Sequence, residues 1–111
     1  MTRCDASLEF LRAFCAGDIE SLGALLTEDF QFEGPFHHSD SRNAYLRCLK
    51  EDPPEEAGDF DVLRVFEDGG EVCLFYEYSK PQGSVLIAQW NRFRGDKIAE
   101  MTLVFDGRAF A

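Results

Sequence analysis

His37 and His38 are the only histidines in the 111-residue chain, and they stand side by side. Imidazole changes charge near neutral pH, so the pair is the first place to look for proton transfer. Glu33 and Asp40 lie close enough along the chain to orient either ring. This makes His37, His38 and Glu33 the candidate catalytic residues, with a histidine as base. The plainer reading is a pair of loop histidines with wet side chains, because no carboxylate falls at a diagnostic spacing. Adjacent histidines seldom aim at one ion, and a metal site would need Asp40 or Glu33 as a further ligand. No metal and no cofactor is expected.

A second set of polar residues sits inside otherwise apolar stretches: Glu77, Gln89 and Asn91. Strand alternation puts Ile87, Gln89 and Asn91 on one face, with Leu86, Ala88 and Trp90 on the other. Facing inward, Gln89 can hydrogen-bond a ligand carbonyl. At a sheet edge or dimer seam the three would simply find partners there. Phe32, Phe75, Met101 and Phe105 are soft or aromatic side chains that can line an apolar pocket or serve as plain core.

The elements that must position these residues are legible in order. Asp5–Ala16 has helical spacing, with Leu8, Leu11 and Cys15 sharing a face with Phe10 and Phe14 beside them. Gly17 suits a helix terminus and Asp18 can cap the next helix, expected over Asp18–Leu26. From Glu28 the period becomes two, with Phe30 and Phe32 on one side, until Gly34-Pro35 breaks the strand. Ser39, Asp40 or Ser41 can cap a third helix containing Tyr45, Cys48 and Leu49, which Pro53-Pro54 would end. An acidic loop over Glu51–Asp59 follows. The remainder reads as strands: Phe60–Glu67, Glu71–Lys80, Ser84–Arg94 and Lys97–Phe105. Asp68-Gly69-Gly70, Pro81-Gln82-Gly83 and Gly95-Asp96 are the turns between them. Helices first and an antiparallel meander after is α+β architecture.

A 45% hydrophobic chain with eleven Phe can build a core, and 111 residues allow one domain, expected over 1–111. The net charge of −10 disfavours phosphate backbones and anionic lipid, so no nucleic-acid or membrane partner is expected. No apolar run approaches the length of a membrane span. Cys4, Cys15, Cys48 and Cys73 form no CxxC pair, and the first residues lack a signal-peptide core. Reduced thiols in a cytoplasmic protein are therefore expected.

Three segments carry a family resemblance: the corner Ala16-Gly17-Asp18, LLTEDFQFEGP (Leu25–Pro35) and RFRGDKIAEMTLVFD (Arg92–Asp106). With the order of elements they resemble the nuclear transport factor 2-like superfamily, in particular its SnoaL-like branch. The resemblance implies a cystatin-like cone, with N-terminal helices packed on a curved, mostly antiparallel sheet. It also implies an apolar pocket for a small organic ligand and a homodimer through the convex sheet face. Phe10, Phe32, Phe75, Gln89, Met101 and Phe105 are the ligand-binding candidates within that cone. Ketosteroid isomerase belongs to the same superfamily and works with an Asp base, a Tyr and a protonated Asp, a scheme used as a standard worked example of pKa tuning. Those three positions fall here on Gly34, Phe10 and Gln89, so the isomerase mechanism is not expected. SnoaL-like cyclases and dehydratases imply instead proton transfer, or the addition or loss of water, with His37 or His38 as base. A non-catalytic ligand-binding or protein-interaction module of the same fold is the alternative.

Overall fold

The computed structural model describes residues 1–51, 58–81 and 83–110. The first helix, α1 (Arg3–Ala16), starts at Thr2, whose side chain accepts from the Asp5 amide while the Asp5 carboxylate accepts from the Thr2 amide. Its inner face buries Ala6, Ser7, Phe10, Leu11 and Ala13. Gly17 ends it with φ 69°, a left-handed conformation that suits Gly. Asp18 then caps α2 (Ile19–Ala24), accepting from the Ser21 amide at 3.1 Å. This helix is shorter than its apolar spacing suggests. Leu26 is claimed by the sheet, where it pairs with Ile98, and Ile98 also donates to the Leu25 carbonyl.

The six strands are β1 (Leu26–Glu33), β2 (His38–Ser39), β3 (Asp59–Asp68), β4 (Glu71–Lys80), β5 (Gly83–Arg94) and β6 (Lys97–Val104). They form one curved sheet in the order β2-β1-β6-β5-β4-β3. Every pairing is antiparallel except β1 with β6, which is parallel and carries a bulge between Leu26 and Gln31. The third helix, α3 (Arg42–Glu51), lies between β2 and β3 in the chain. Of the three cap candidates Ser41 takes the role, its Oγ accepting from the Ala44 amide at 3.1 Å. Pro53-Pro54 and Gln82 lie outside the described residues.

Cross-strand registers sort the side chains into two faces. One row runs Ser39, Phe32, Met101, Asn91, Val72 across β2, β1, β6, β5 and β4, and all five are buried. Against this inner face pack Phe10, Leu11 and Leu22 of the first two helices and Tyr45 of α3. Phe30, fully buried, meets the Tyr45 ring edge-on at 5.3 Å. The neighbouring row runs His38, Glu33, Thr102, Trp90, Cys73, Phe66 on the outer face. That face carries exposed Phe66, Leu86, Trp90 and Val104. Among the described residues no helix is long and apolar enough to cross a membrane. All four cysteines are unpaired.

Candidate functional site

Strand alternation decides what the two histidines do. Ser39 pairs with inward-facing Phe32, so its neighbour His38 pairs with outward-facing Glu33. The His38 ring is held between two carboxylates, with Nδ1 2.5 Å from Glu33 Oε2 and Nε2 2.6 Å from Asp40 Oδ1. Bonding to Glu33, then to Asp40, raises the His38 pKa above its ordinary value. Both nitrogens donate when the ring is charged, so His38 is a cationic clamp closing the Gly34–Asp40 turn rather than a free base. A proton titration of its ring should show a midpoint above the usual histidine range of about 6.5. Glu33→Gln should move that midpoint back down. A raised folded pKa means that the clamp contributes fully below the unfolded value and is lost as pH rises through the folded one. An unchanged midpoint in Glu33→Gln would show that the carboxylate does not hold the ring.

His37 lies on the inner side. It is half-buried, its ring 5.8 Å from that of Phe32, and among the described residues neither nitrogen meets a carboxylate. Nε2 is 2.6 Å from the hydroxyl of buried Ser39, and Nδ1 faces Cys48 Sγ of α3 at 3.9 Å. Phe32 in turn packs on Tyr45, ring to ring at 4.9 Å. Complete burial of Tyr45 raises its pKa, so the phenol stays protonated.

Deeper along the same face runs a buried chain of hydrogen bonds. Tyr76 donates to Gln89 Oε1 at 2.9 Å, Gln89 Nε2 to Asn91 Oδ1 at 3.2 Å, and Asn91 Nδ2 to Ser7 Oγ at 3.0 Å. All four residues are buried. The chain ties α1 to the middle of the sheet, and burial raises the Tyr76 pKa, which keeps that hydroxyl a donor. Gln89 has one amide hydrogen beyond the one given to Asn91.

Of the six ligand-binding candidates, Phe10, Phe32, Gln89 and Met101 are buried on the inner side. Phe105 is half-buried beside them, edge-on to Phe36 at 5.8 Å. Phe75 is the correction. It pairs with Ala88 and meets Phe66 at 6.1 Å on the outer face, because alternation gives the inner positions of β4 to Leu74 and Tyr76. Glu33 also turns outward, to His38 rather than to the inner histidine. Ser39, Cys48 and Tyr76 are partners that residue type and spacing do not mark as belonging to the site. Ser7 was detectable as a small polar residue three and four positions before Phe10 and Leu11, on their buried stripe. Ser39 is two residues from His37, but nothing short of the β2 pairing turns it inward.

Among the described residues no cluster of His, Cys, Asp and Glu has the makings of a metal site. A wide depression of about 510 Å³, lined by Met1, Asp5, Leu8, Glu9 and Arg12, lies along α1. It is open to solvent and shares no residue with the His37 site.

The fold is widely shared. A protein of unknown function from Cytophaga hutchinsonii, described as NTF2-like, superposes with a TM-score of 0.83 at 24% identity, over 97% of this chain and 93% of the other. An LEH-like epoxide hydrolase from M. tuberculosis superposes with a TM-score of 0.81 at 17% identity, over 96% and 84%. TerC, crystallised with polyporic acid, gives 0.79 at 18% identity, over 97% and 94%. No curated protein matches in sequence. The model of the SnoaL-like domain family matches residues 8–101, from within α1 to within β6, and so takes in the histidine turn. The chain belongs to the SnoaL-like domain family.

Proposed function

We propose that this SnoaL-like domain binds a small, largely apolar organic molecule bearing a carbonyl or hydroxyl group, and that His37 transfers a proton to or from it. The reaction is then a proton shift, or the addition or loss of water. The observation that carries the reading is His37 itself, half-buried on the inner face against an aromatic wall and bonded to a neutral hydroxyl. Its neighbour His38 is engaged by two carboxylates. Gln89 faces the same interior, and its second amide hydrogen can polarise a ligand oxygen. Phe32 and the strand of Gln89 are two interstrand steps apart, roughly 10 Å, which is the span of about two fused rings. Phe10, Phe32 and Met101 belong to the buried apolar cluster of that interior, and Phe105 packs against it. The same fold serves the epoxide hydrolase and the polyporic-acid complex, which supports small-molecule chemistry in such a cone.

A panel of aromatic ketones, enones and epoxides, screened for product by mass spectrometry, tests this. His37→Ala should lower the rate on any substrate found by about 10²- to 10⁴-fold. Binding should weaken much less, because the apolar walls remain. Stability should fall by about 1 to 3 kcal/mol at most, because the ring is only half-buried but the buried Ser39 hydroxyl loses its partner. Undiminished turnover in His37→Ala would remove the histidine from the mechanism. Binding without turnover anywhere in the panel would turn the reading to a non-catalytic binding module.

We also propose that the chain is a homodimer through the outer sheet face. Phe66, Leu86, Trp90 and Val104 are 58%, 56%, 47% and 64% exposed there, a concentration of apolar surface unusual for a face left in water. The rim carries both signs of charge, with Arg92 beside Glu71 and Glu100. A two-fold axis can therefore set acid against base. Four unpaired thiols fit a reducing cytoplasm as the location.

A further inference from the structure

None of the chain's four cysteines is fully buried or fully exposed. Their neighbours differ. The Cys4 thiol donates to the Glu67 carboxylate at 3.0 Å, and a thiolate there would face a negative charge. Cys15 is partly buried near the Asp59 carboxylate, and Cys73 stands on the outer sheet face beside Trp90 in register. Cys48 alone faces an imidazole, its Sγ 3.9 Å from His37 Nδ1.

That imidazole is oriented from its far side. His37 Nε2 lies 2.6 Å from Ser39 Oγ, and Ser39 is fixed by its strand pairing with Phe32 and is 3% exposed. With Nε2–H donating to Ser39, the lone pair of Nδ1 points toward the thiol. Nucleophile, base and orienting group thus stand in line, supplied by α3, the turn before β2 and β2 itself. The same His37 ring stands 5.8 Å from that of Phe32.

We propose that Cys48 and His37 form a nucleophile–base pair, and that this pair is a covalent attachment site for small α,β-unsaturated carbonyl compounds. The proposal rests on the reading of the cone as a site for apolar carbonyl compounds, since the electrophile is an activated form of the same class. The step needs no oxidant and no further reactant. His37 Nδ1 takes the thiol proton, and the sulfur electron pair forms a bond to the β-carbon. The carbon–carbon π pair moves onto the carbonyl oxygen as an enolate. The enolate α-carbon then takes the proton back from the imidazolium, leaving a neutral thioether and a neutral histidine.

The remaining cysteines provide an internal comparison. Burial and carboxylates raise the pKa of Cys15 and Cys4 respectively, and burial does the same for Cys73, so all three are held as thiols. N-ethylmaleimide at substoichiometric dose, followed by peptide mapping, reads the four rates in one sample. Cys48 should react about tenfold faster than each of the others, and His37→Gln should bring it down to their level without changing theirs. Even labelling, or faster reaction at Cys4, Cys15 or Cys73, would overturn the proposal. So would an undiminished Cys48 rate in His37→Gln. The wild-type rate pattern tests the reactivity of Cys48 even where that variant folds poorly, since even labelling there already overturns the proposal. Adding 2-acetylnaphthalene, which cannot react, separates this proposal from the ligand reading. Slower Cys48 labelling supports both. Fast, His37-dependent labelling that the ketone does not slow would keep the pair and remove the ligand.

Discussion

Asn91→Leu is expected to destabilise the fold by about 2 to 4 kcal/mol, although the two side chains branch alike. Asn91 is fully buried and joins the two halves of the interior polar chain, accepting from Gln89 and donating to Ser7. Leucine fills the space but strands Gln89 Nε2 and Ser7 Oγ in an apolar surrounding, each at a cost of about 1 to 3 kcal/mol. The melting temperature should fall by roughly 10 °C or more in a chain of this size. A lower urea midpoint at unchanged slope would confirm that the loss lies in native stability. Ser7→Ala placed on top of Asn91→Leu should cost less than the sum of the two, because one stranded group has gone. A loss below about 0.5 kcal/mol would mean that the chain of bonds contributes no more than an exposed one does.

Trp90→Lys should weaken self-association by about 30- to 1,000-fold, corresponding to the 2 to 4 kcal/mol of an interface tryptophan. The indole stands at the middle of the outer face, 47% exposed, with Nε1 donating to Glu71 Oε1 at 2.7 Å and the Arg92 guanidinium 5.8 Å from its ring. Lysine puts a charge at the centre of that apolar patch in both copies, so the repulsion counts twice across a two-fold axis. The protomer should remain folded, since the inner face of β5 carries Val85, Ile87, Gln89 and Asn91 and is untouched. Sedimentation equilibrium across the micromolar range reads the change directly. A wild-type chain that sediments as a monomer there would remove the dimer altogether.

Much of the frame is legible in residue type and spacing. The β4 strand begins and ends as its turn signals indicate, because Asp68-Gly69-Gly70 closes the hairpin with Gly69 at φ 61°. The assignment of Gln89 and Asn91 to one face and Trp90 to the other follows from period two alone. The Ser41 cap is one of three candidates that local chemistry could not rank. The parallel pairing of β1 with β6 is not legible, since it joins segments separated by most of the chain. That pairing also explains why β1 takes Leu26 from the expected helix.

The site divides along the same line. Residue types and spacing by themselves determined that the chain would be an α+β fold with an apolar interior, and they singled out His37 and His38 as candidates for proton transfer. These are local properties: side-chain period, turn residues and ionisable groups act within a few positions of one another. Only the tertiary structure decided which histidine faces the interior. The two-residue strand β2 pairs Ser39 with Phe32 and His38 with Glu33, and a shift of one residue in that register would exchange inside and outside. It likewise set Phe75 on the outer face, drew Ser7 into the polar chain from 84 positions away, and brought Cys48 of α3 to His37. Such contacts arise from packing helices on a curved sheet, and that packing depends on the whole core rather than on any single stretch.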